Sequence, residues 1–206
     1  IAAFDVDGTL TRRDCVVPFL LRLAGPVRVL TASLRHPLLV VSTLLGFGDR
    51  DRLKAVVVGH LVRGHHRVSL DELGHRYATQ QVAQWLRGDT LARMRRHREL
   101  GHRVVLVSAS LRPYLEPLAN QVLGGVDAVL CTDLETGTDG RCTGRLDGGN
   151  CRGAEKSRRL RALLGEAKAV VWAYGDSAGD AELLAMADHP VWVRGVTIDP
   201  EPLAAS

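Results

Sequence analysis

The sequence has few cysteines and no long uninterrupted apolar run, and each lack excludes a class of protein. Four cysteines among 206 residues are too sparse for a disulfide scaffold, and they form no C-x-x-C pair of the zinc-binding kind. No stretch reaches the roughly 18 consecutive apolar residues of a membrane span, because Arg28, Arg35 and His36 interrupt the most apolar part. We therefore expect a globular protein with reduced thiols in the cytoplasm.

Aromatic residues are also scarce, at 4% of the chain. The most basic stretch, RMRRHR at residues 93–98, has few aromatic neighbours on which bases could stack. We interpret it as the solvated face of a helix, and we expect no nucleic-acid partner.

The first residues show no signal peptide, since the chain begins directly on a short apolar run. It starts at Ile1 rather than at an initiator methionine. We therefore expect a trimmed chain that lacks something upstream.

Charge is unevenly spread along the sequence. The segment from Thr11 to Leu70 contains ten Lys and Arg residues and three Asp residues, a net charge of +7, while the whole chain carries only +4. The remainder of the chain is therefore acidic. A basic segment of this kind suits an anionic substrate or an anionic membrane surface, and a solvated basic face is the plainer alternative.

Short apolar runs separated by helical patterns dominate the rest of the chain. The predicted strands are IAAF, RVVLVS, DAVLCT, AVVWAYGD and PVWVR, and ETGTDGRCTG predicts a hairpin around Asp139-Gly140. Helices are predicted over Leu111–Val122 and Ala154–Leu164 and from Ala181. Strands that alternate with helices form parallel sheets. The predicted fold class is therefore α/β, with a doubly wound parallel sheet.

A long helical region, residues 16–86, separates the first strand from the second. It is broken at Gly25-Pro26, at Gly46–Gly48 and at Gly64, and the capping-box pattern at Ser69 predicts a helix that starts there and runs to Leu86. We interpret this region as an α-helical cap inserted after the first strand. The predicted domains are a core of residues 1–15 and 88–206 and a cap of residues 16–87.

Two carboxylates, Asp5 and Asp7, follow the first predicted strand directly. The sequence DVDG also suits a simple turn closed by Gly8. Ligands of open α/β sheets, however, bind at the carboxyl ends of the strands, and two acids on one face of an extended chain need a cation or a shared proton. Ser108 and Asp176 also follow predicted strands. We therefore expect these side chains to converge at one edge of the sheet.

A carboxylate cluster without His or Cys suits a hard divalent cation, and Mg²⁺ is the expected cofactor. The candidate ligands are Asp5, Asp7, Asp176 and Asp180. A bound cation screens a phosphate from the anionic site, so that one carboxylate is free to attack phosphorus. The Ser108 hydroxyl and nearby backbone N–H groups are candidates to bind phosphate oxygens, and Lys156 is the candidate cation.

Four motifs in order carry a resemblance to a known family. They are DVDGT (5–9), VVLVSAS (104–110), NCRGAEK (150–156) and GDSAGD (175–180). Together they resemble the motifs of the haloacid dehalogenase (HAD) superfamily of phosphohydrolases, and the resemblance spans nearly the whole chain. It implies a Rossmann-like core. The helical insert resembles the cap of the branch that includes phosphoserine phosphatase, subfamily IB.

The resemblance implies roles for the acidic residues. Asp5 matches the nucleophile that forms an aspartyl-phosphate, and Asp7 the general acid that protonates the leaving alkoxide and then activates water. The implied Mg²⁺ ligands are the Asp5 carboxylate, the Asp7 main-chain carbonyl and Asp176. Asp180 is implied as a further ligand or a supporting residue.

The same resemblance implies a phosphate-binding set. Ser108 matches the second-motif phosphate ligand and Lys156 the third-motif lysine. Gly8 and Thr9 of the first motif and Ala109 of the second complete the set.

Departures from the phosphoserine phosphatase pattern leave the substrate open. A glutamate is expected nine positions after the nucleophile, where this chain has Asp14, the candidate ligand for the rest of the substrate. The chain also has SAS and GDSAGD in place of SGG and GDGxND. Phosphoserine is thus one candidate among small-molecule alcohol phosphates.

Three alternatives remain open at this point. Apolar residues with interspersed arginines over residues 26–46 favour core packing of a cap helix, but they also suit a segment lying on lipid headgroups, which implies a lipid phosphate substrate. Phosphoryl transfer to an acceptor other than water is the second alternative. A non-enzymatic binding module is disfavoured, because every motif residue needed for chemistry is present. The oligomeric state is left open.

Overall fold

The computed structural model describes residues 1–45 and 50–201. Within these residues six strands form one sheet in the order β4-β3-β2-β1-β5-β6, parallel except for the β3–β4 pair. The strands are β1 Ala2–Phe4, β2 Val104–Leu111, β3 Ala128–Thr136, β4 Cys142–Asp147, β5 Trp172–Gly175 and β6 His189–Trp192. The predicted α/β fold class is confirmed, and the predicted hairpin is the β3–β4 connection.

Helices lie between the strands as the alternating pattern predicts. The insert after β1 contains α1 Val16–Leu34, α2 Pro37–Leu44, α3 Arg50–Val62 and α4 Arg67–Gln80. The remaining helices are α5 Gly88–Glu99, α6 Arg112–Pro117, α7 Ala154–Leu164 and α8 Ala181–Ala185. The division of the chain into a core and a cap stays a prediction.

The sheet is buried on both faces because its strands alternate side chains between two apolar clusters. Phe4 and Leu106 belong to the larger cluster, and Ala3, Val105 and Ala173 belong to the smaller one. β1 is fully buried between β2 and β5. Strands buried on both faces are typical of doubly wound folds, and the residues after β1 therefore emerge at the centre of the sheet edge.

The capping-box prediction at Ser69 was wrong. α4 begins at Arg67, whose backbone N–H donates to the Gly140 carbonyl at 2.9 Å and whose guanidinium pairs with Asp71 and Asp133 at 2.9 Å each. These contacts with the hairpin start the helix two residues earlier than the local pattern indicates. α4 also ends at Gln80, and a short 3₁₀ turn over Val82–Trp85 replaces its predicted last residues.

Two of the predicted breaks in the insert are confirmed. Gly25 has φ 77° and ψ 164°, which interrupts α1, and Gly64 has φ 79° between α3 and α4. Such positive φ values are readily adopted only by glycine. The third predicted break, at Gly46–Gly48, lies outside the described residues.

By length and composition alone, α1 is apolar enough to cross a membrane, with a mean hydropathy of 1.4. A core helix or a signal sequence has the same properties. Phe19, Leu20 and Ala32 of α1 are buried in the larger apolar cluster, and the helix is interrupted at Gly25.

The interpretation of residues 93–98 as a solvated face was wrong in part. Arg93 and His97 of α5 are buried, and both reach the Tyr174 hydroxyl, at 3.0 and 2.7 Å. Arg93 also donates to the Asp199 carbonyl. The basic helix therefore uses part of its charge to hold the chain beyond β6 against the sheet.

A substitution at Gly74 on α4 tests how closely the insert packs against α6. A Cβ at this position would lie 2.0 Å from the Pro113 carbonyl oxygen. Gly74→Ala is therefore expected to lower the free energy of unfolding by ~2 kcal/mol, because the two helices must separate. Urea denaturation measures this. Gly88→Ala on α5 is the control, since among the described residues no atom beyond its chain neighbours and its own helix backbone lies within 4 Å of the added Cβ, and a change of similar size there would contradict the packing argument.

Candidate active site

The predicted convergence of polar side chains at one sheet edge is confirmed. Phe4 pairs with Leu106 and with Tyr174, so the end of β1 lies between β2 and β5, and Ser108 in β2 and Asp176 after β5 each stand two residues beyond the paired position. A cavity of about 400 Å³ lies at this edge. The side chains that line it include the predicted residues Asp5, Asp7, Asp14, Ser108, Lys156, Asp176 and Asp180.

Lys156 joins two of the carboxylates at the bottom of the cavity. Its Nζ donates to Asp5 Oδ1 and to Asp180 Oδ1, each at 2.5 Å, and all three residues are buried. The residue lies in the first turns of α7, which begins at Ala154 after a positive-φ Gly153. The fold thus places one cation between two acids from different parts of the chain.

The site carries more negative than positive charge. Burial raises the pKa of Asp5 to about 7, against the opposing effect of Lys156, and Asp180 and Asp7 add to the rise. Burial alone would lower the pKa of Lys156, but the Asp5 and Asp180 charges outweigh it and hold the pKa above its usual range. Lys156 is therefore firmly charged, and among the described residues it is the one cation in an ion pair with Asp5 and Asp180.

Gly8 makes the close approach of β1 and β5 ends possible. Its φ is 81°, and a Cβ there would lie 2.3 Å from Asp176 Oδ2. Burial, followed by the charge of Asp180, raises the pKa of Asp176. The absent side chain at Gly8 therefore leaves room for the Asp176 carboxylate at the wall of the cavity.

Asp7 is held by two hydrogen bonds rather than by a cation. Its Oδ1 accepts the Cys15 N–H at 2.9 Å, and its Oδ2 accepts the Ser110 hydroxyl at 2.8 Å. Burial raises the pKa of Asp7, the Asp14 charge adds to this, and the hydrogen bonds from Cys15 and Ser110 oppose it. An acid with a raised pKa and a fixed orientation is suited to proton transfer.

Ser110 is a site residue that the sequence analysis missed. Its hydroxyl donates to Asp7 and accepts from the Tyr114 hydroxyl at 3.0 Å, and both residues are buried. Ser110 lies within the quoted VVLVSAS motif, two positions after Ser108, and its backbone N–H donates to the Ser108 hydroxyl oxygen. That spacing was the signal that could have identified it.

Asp180 uses both carboxylate oxygens for protein contacts. Oδ1 accepts from Lys156, and Oδ2 accepts the Ser177 N–H at 3.0 Å, the Ser177 hydroxyl at 2.9 Å and the Asp176 N–H at 3.2 Å. It therefore orders the loop that carries Asp176 and fixes Lys156. The role of Asp180, as a metal ligand or as a supporting residue, stays a prediction.

The remaining predicted residues differ in their access to the cavity. Ser108 is buried at the cavity wall, where its Oγ accepts the Ser110 N–H at 3.1 Å, and the Ala109 carbonyl accepts from Lys54. Thr9 is fully buried, and its Oγ1 has no hydrogen-bond partner among the described residues. The Asp14 carboxylate faces the cavity and also accepts the Val17 N–H at 3.0 Å, which caps the first turn of α1.

Four cations near the site were not predicted. Arg12, Arg13 and Arg152 line the cavity, and Lys54 reaches the Ala109 carbonyl and Asn150 Oδ1 from α3. The arginines adjoin or belong to the quoted motifs, so their positions in the sequence were a usable signal. Lys54 has no such signal, because only the folding of the insert brings it there. These cations favour an anionic ligand.

The acidic residues fit a hard divalent cation. One oxygen each of Asp5, Asp176 and Asp180 lies within 4.8 Å of the other two. Because Asp180 is occupied by Lys156 and Ser177, Asp5 and Asp176 are the carboxylates with capacity for a metal. Oxygen donors and a surplus of negative charge are the environment in which Mg²⁺ binds.

Ser110→Ala is expected to change the pH dependence of any reaction that uses Asp7. Loss of the hydroxyl hydrogen bond removes a contact that lowers the pKa of Asp7, so the corresponding limb of the rate profile moves to higher pH by about one unit. A kcat–pH profile measures this. Ser157→Ala is the control, since within the described part of the chain that hydroxyl donates to the Ala154 carbonyl rather than to Asp7. An unshifted profile in Ser110→Ala would contradict this role.

The geometry agrees with the comparison to protein families. The model for haloacid dehalogenase-like hydrolases matches residues 2–185. The chain is 36% identical over 191 residues to Protein CicA of Caulobacter vibrioides, covering 92% of this chain and 83% of that protein. It is 25% identical to a histidinol-phosphatase of Neisseria meningitidis, covering 94% of this chain and 90% of the relative.

Solved structures share the fold. A protein of unknown function from Bordetella pertussis superposes with a TM-score of 0.73 at 26% identity, over 90% of this chain and 85% of that one. A substrate-bound phosphoserine phosphatase superposes with a TM-score of 0.63 at 17% identity, over 90% of this chain and 81% of that one. The likeness to the phosphoserine phosphatase is a likeness of fold.

Proposed function

Because this chain belongs to the haloacid dehalogenase-like hydrolase family, we propose that it is a Mg²⁺-dependent phosphomonoester hydrolase that works through a phosphorylated Asp5. The observation that carries the proposal is the Lys156 ammonium, 2.5 Å from both Asp5 and Asp180, at a sheet edge that also holds Asp7 and Asp176. This arrangement combines a nucleophile, a fixed cation, an acid for proton transfer and capacity for a metal.

In the first step Asp5 attacks the phosphorus of the bound ester. An Asp5 oxygen forms the new P–O bond, the bond from phosphorus to the alcohol oxygen breaks, and Asp7 gives its proton to the departing alkoxide. Lys156 stays charged and stabilises the negative charge on the phosphoryl oxygens. Ser108, Ala109 and Gly8 line the same cavity.

In the second step Asp7 takes a proton from water. The hydroxide attacks phosphorus, the bond to Asp5 breaks, and inorganic phosphate leaves with the Asp5 carboxylate restored. Ser110 and the Cys15 N–H keep the Asp7 carboxyl in place for both transfers. The raised pKa of Asp7 suits a group that must first donate and then accept a proton.

Asp5 and Asp176 would hold the metal, and a bound Mg²⁺ would polarise the phosphoryl oxygens and screen them from the acids. The raised pKa of Asp5, about 7, supports a requirement for such a cation. Asp180 serves this site by fixing Lys156 and the Ser177 loop.

The substrate class that we propose is the phosphate monoester of an alcohol. Three arginines at the cavity suit the phosphate, and a relative named as a histidinol-phosphatase supports the phosphate ester of an alcohol. Asp14 is the candidate contact for the rest of the molecule. Its carboxylate also accepts the Val17 N–H at the start of α1. Only part of its hydrogen-bonding capacity is therefore available to an amine such as that of phosphoserine.

Phosphate release from p-nitrophenyl phosphate, O-phosphoserine and histidinol phosphate, with Mg²⁺ and with EDTA, tests the proposal. Turnover that needs Mg²⁺ is expected for at least the aryl ester. Equal turnover in EDTA contradicts the metal requirement, and no turnover of any ester contradicts the hydrolase assignment. Added alcohols that capture the phosphoryl group would instead indicate transfer to an acceptor other than water.

The cytoplasmic location stays part of the proposal. All four cysteines are free and buried, and burial raises the pKa of Cys131 to about 12 and of Cys151 to about 11. Unreactive thiols of this kind are compatible with a reducing compartment.

A further inference from the structure

The second half of α1, the helix α2 and the residue that follows it expose an apolar ridge. Its six members are between 52% and 85% exposed and recur every three or four residues: Val27, Leu30, Leu34, Leu38, Val41 and Leu45. This spacing places the α1 members on one face of α1 and the α2 members on one face of α2. Exposed apolar rows of this size mark interaction surfaces.

The charged residues within the segment that carries the ridge are of one sign. The sequence contains no Asp or Glu from Cys15 through Gly48, whereas Arg22, Arg28, Arg35 and His36 are exposed on the same segment. Apolar residues flanked by cations and free of acids are typical of helices that lie in the interface of an anionic bilayer. The charge complementarity therefore favours a lipid surface as the occupant.

An apolar cavity of about 500 Å³ links α1 to the reacting groups. Asp7, Asp14, Ala109 and Arg152 line both this cavity and the one that holds Asp5. The rest of its lining combines the polar residues Ser33, Asp51, Lys54 and Asn150 with apolar side chains of α1 and α3, among them Val16, Leu20, Val29, Leu53 and Val57. Val29 lies on α1 between the ridge residues Val27 and Leu30. A ligand whose phosphate lies at Asp5 can thus extend an apolar chain between the two helices.

We propose that the substrate is the phosphate monoester of an amphiphilic alcohol, taken from an anionic bilayer on which the apolar ridge rests, with its alkyl chain in the cavity between α1 and α3. This inference rests on the proposed function. α1 lies on the bilayer surface rather than across it, because Phe19, Leu20 and Ala32 are held in the protein core.

Vesicle flotation of the full chain tests the docking surface. Binding to phosphatidylcholine vesicles that contain phosphatidylglycerol is expected, with little binding to phosphatidylcholine alone. Each cation near the surface is worth about fivefold in partitioning, so Arg28→Gln with Arg35→Gln is expected to weaken binding about 30-fold. The ridge variant Leu30→Gln, Leu34→Gln, Leu38→Gln is expected to lose binding.

The matched control is Val68→Gln, Leu100→Gln, Val196→Gln, which changes three exposed apolar residues outside the ridge and is expected to bind as the wild type does. An equal loss of vesicle binding in the control overturns the assignment of the ridge as the membrane-binding surface. No vesicle binding by the wild type also overturns it, as does a wild-type dimer that the ridge variant dissociates, because the ridge would then be a contact between two copies.

A series of linear alkyl phosphates below their micelle concentrations tests the cavity. The value of kcat/KM is expected to rise about fourfold per added methylene until the cavity is filled. Val29→Trp is expected to flatten this dependence, and Val68→Trp on α4 to preserve it. If p-nitrophenyl phosphate is hydrolysed but chain length has no effect, this inference fails while the proposed function stands. If no ester is hydrolysed, both fail.

Discussion

Replacing Asp5 by Asn is expected to lower kcat for p-nitrophenyl phosphate at least ~10⁴-fold, because an amide cannot attack phosphorus. The fold is expected to persist. Asn keeps the size of the side chain, and the amide oxygen can still accept from Lys156, which also keeps Asp180 at 2.5 Å.

The same variant is expected to be more stable than the wild type when no metal is present. The pKa of Asp5 is raised to about 7 in the folded chain, so its protonated form stabilises the fold at low pH. That contribution is lost as pH rises through about 7. At pH 8 Asp5→Asn is therefore expected to gain ~1 kcal/mol of unfolding free energy, or ~3 °C in Tm, and a smaller gain at pH 5.

Thermal denaturation in EDTA at both pH values measures this difference, and Mg²⁺ is expected to reduce it by stabilising the wild type. Glu72→Gln, on an exposed carboxylate of α4, is the matched control and is expected to change neither turnover nor Tm. Retained turnover in Asp5→Asn would contradict the assignment of the nucleophile. A lower Tm at pH 8 would contradict the account of surplus negative charge.

Replacing Lys156 by Met is expected to cost both activity and stability. kcat is expected to fall about 10³-fold, since the only cation that touches Asp5 among the described residues is removed. Unfolding free energy is expected to fall by ~3 kcal/mol at pH 8, because Asp5 and Asp180 are left buried without their partner. The loss is expected to be smaller at pH 5, where protonation relieves the two acids.

Urea denaturation and steady-state kinetics at both pH values check these effects. Lys168→Met removes an exposed lysine of the same type and is expected to be neutral. If Lys156→Met were as stable as the wild type at pH 8, the ion pairs with Asp5 and Asp180 would not form in solution.

Much of the fold could be predicted because its strands are short, apolar and well separated. α7 was predicted at the residues where it lies, Ala154–Leu164, and the hairpin at Asp139-Gly140 connects β3 to β4. Both signals are local. The start of α4 could not be predicted, because Arg67 is fixed by the distant Gly140 and Asp133. Only the assembled chain contains those contacts.

The same difference between local signals and contacts that form only in the folded chain applies to the site. Asp5 and Asp176 directly follow β1 and β5, Ser108 lies within β2 beyond its pairing with β1, and the sheet order brings all three together as expected. Ser110 could have been identified from its place two positions after Ser108, whereas Lys54 reaches the site only once the insert has packed. The solvated face predicted for α5 failed for a similar reason, since the sheet offers Arg93 and His97 a buried partner in Tyr174.

The most direct test of the account is to trap the phosphorylated residue in Asp7→Asn. p-Nitrophenolate leaves without a proton, so this variant is expected to release one equivalent in a burst and then stall, because the amide that replaces the Asp7 carboxylate cannot activate water. Rapid quenching, borohydride reduction of the acyl phosphate and peptide mass spectrometry are expected to locate the modification at Asp5. A modification at any other residue, or a burst that leaves Asp5 unmodified, would contradict the central claim.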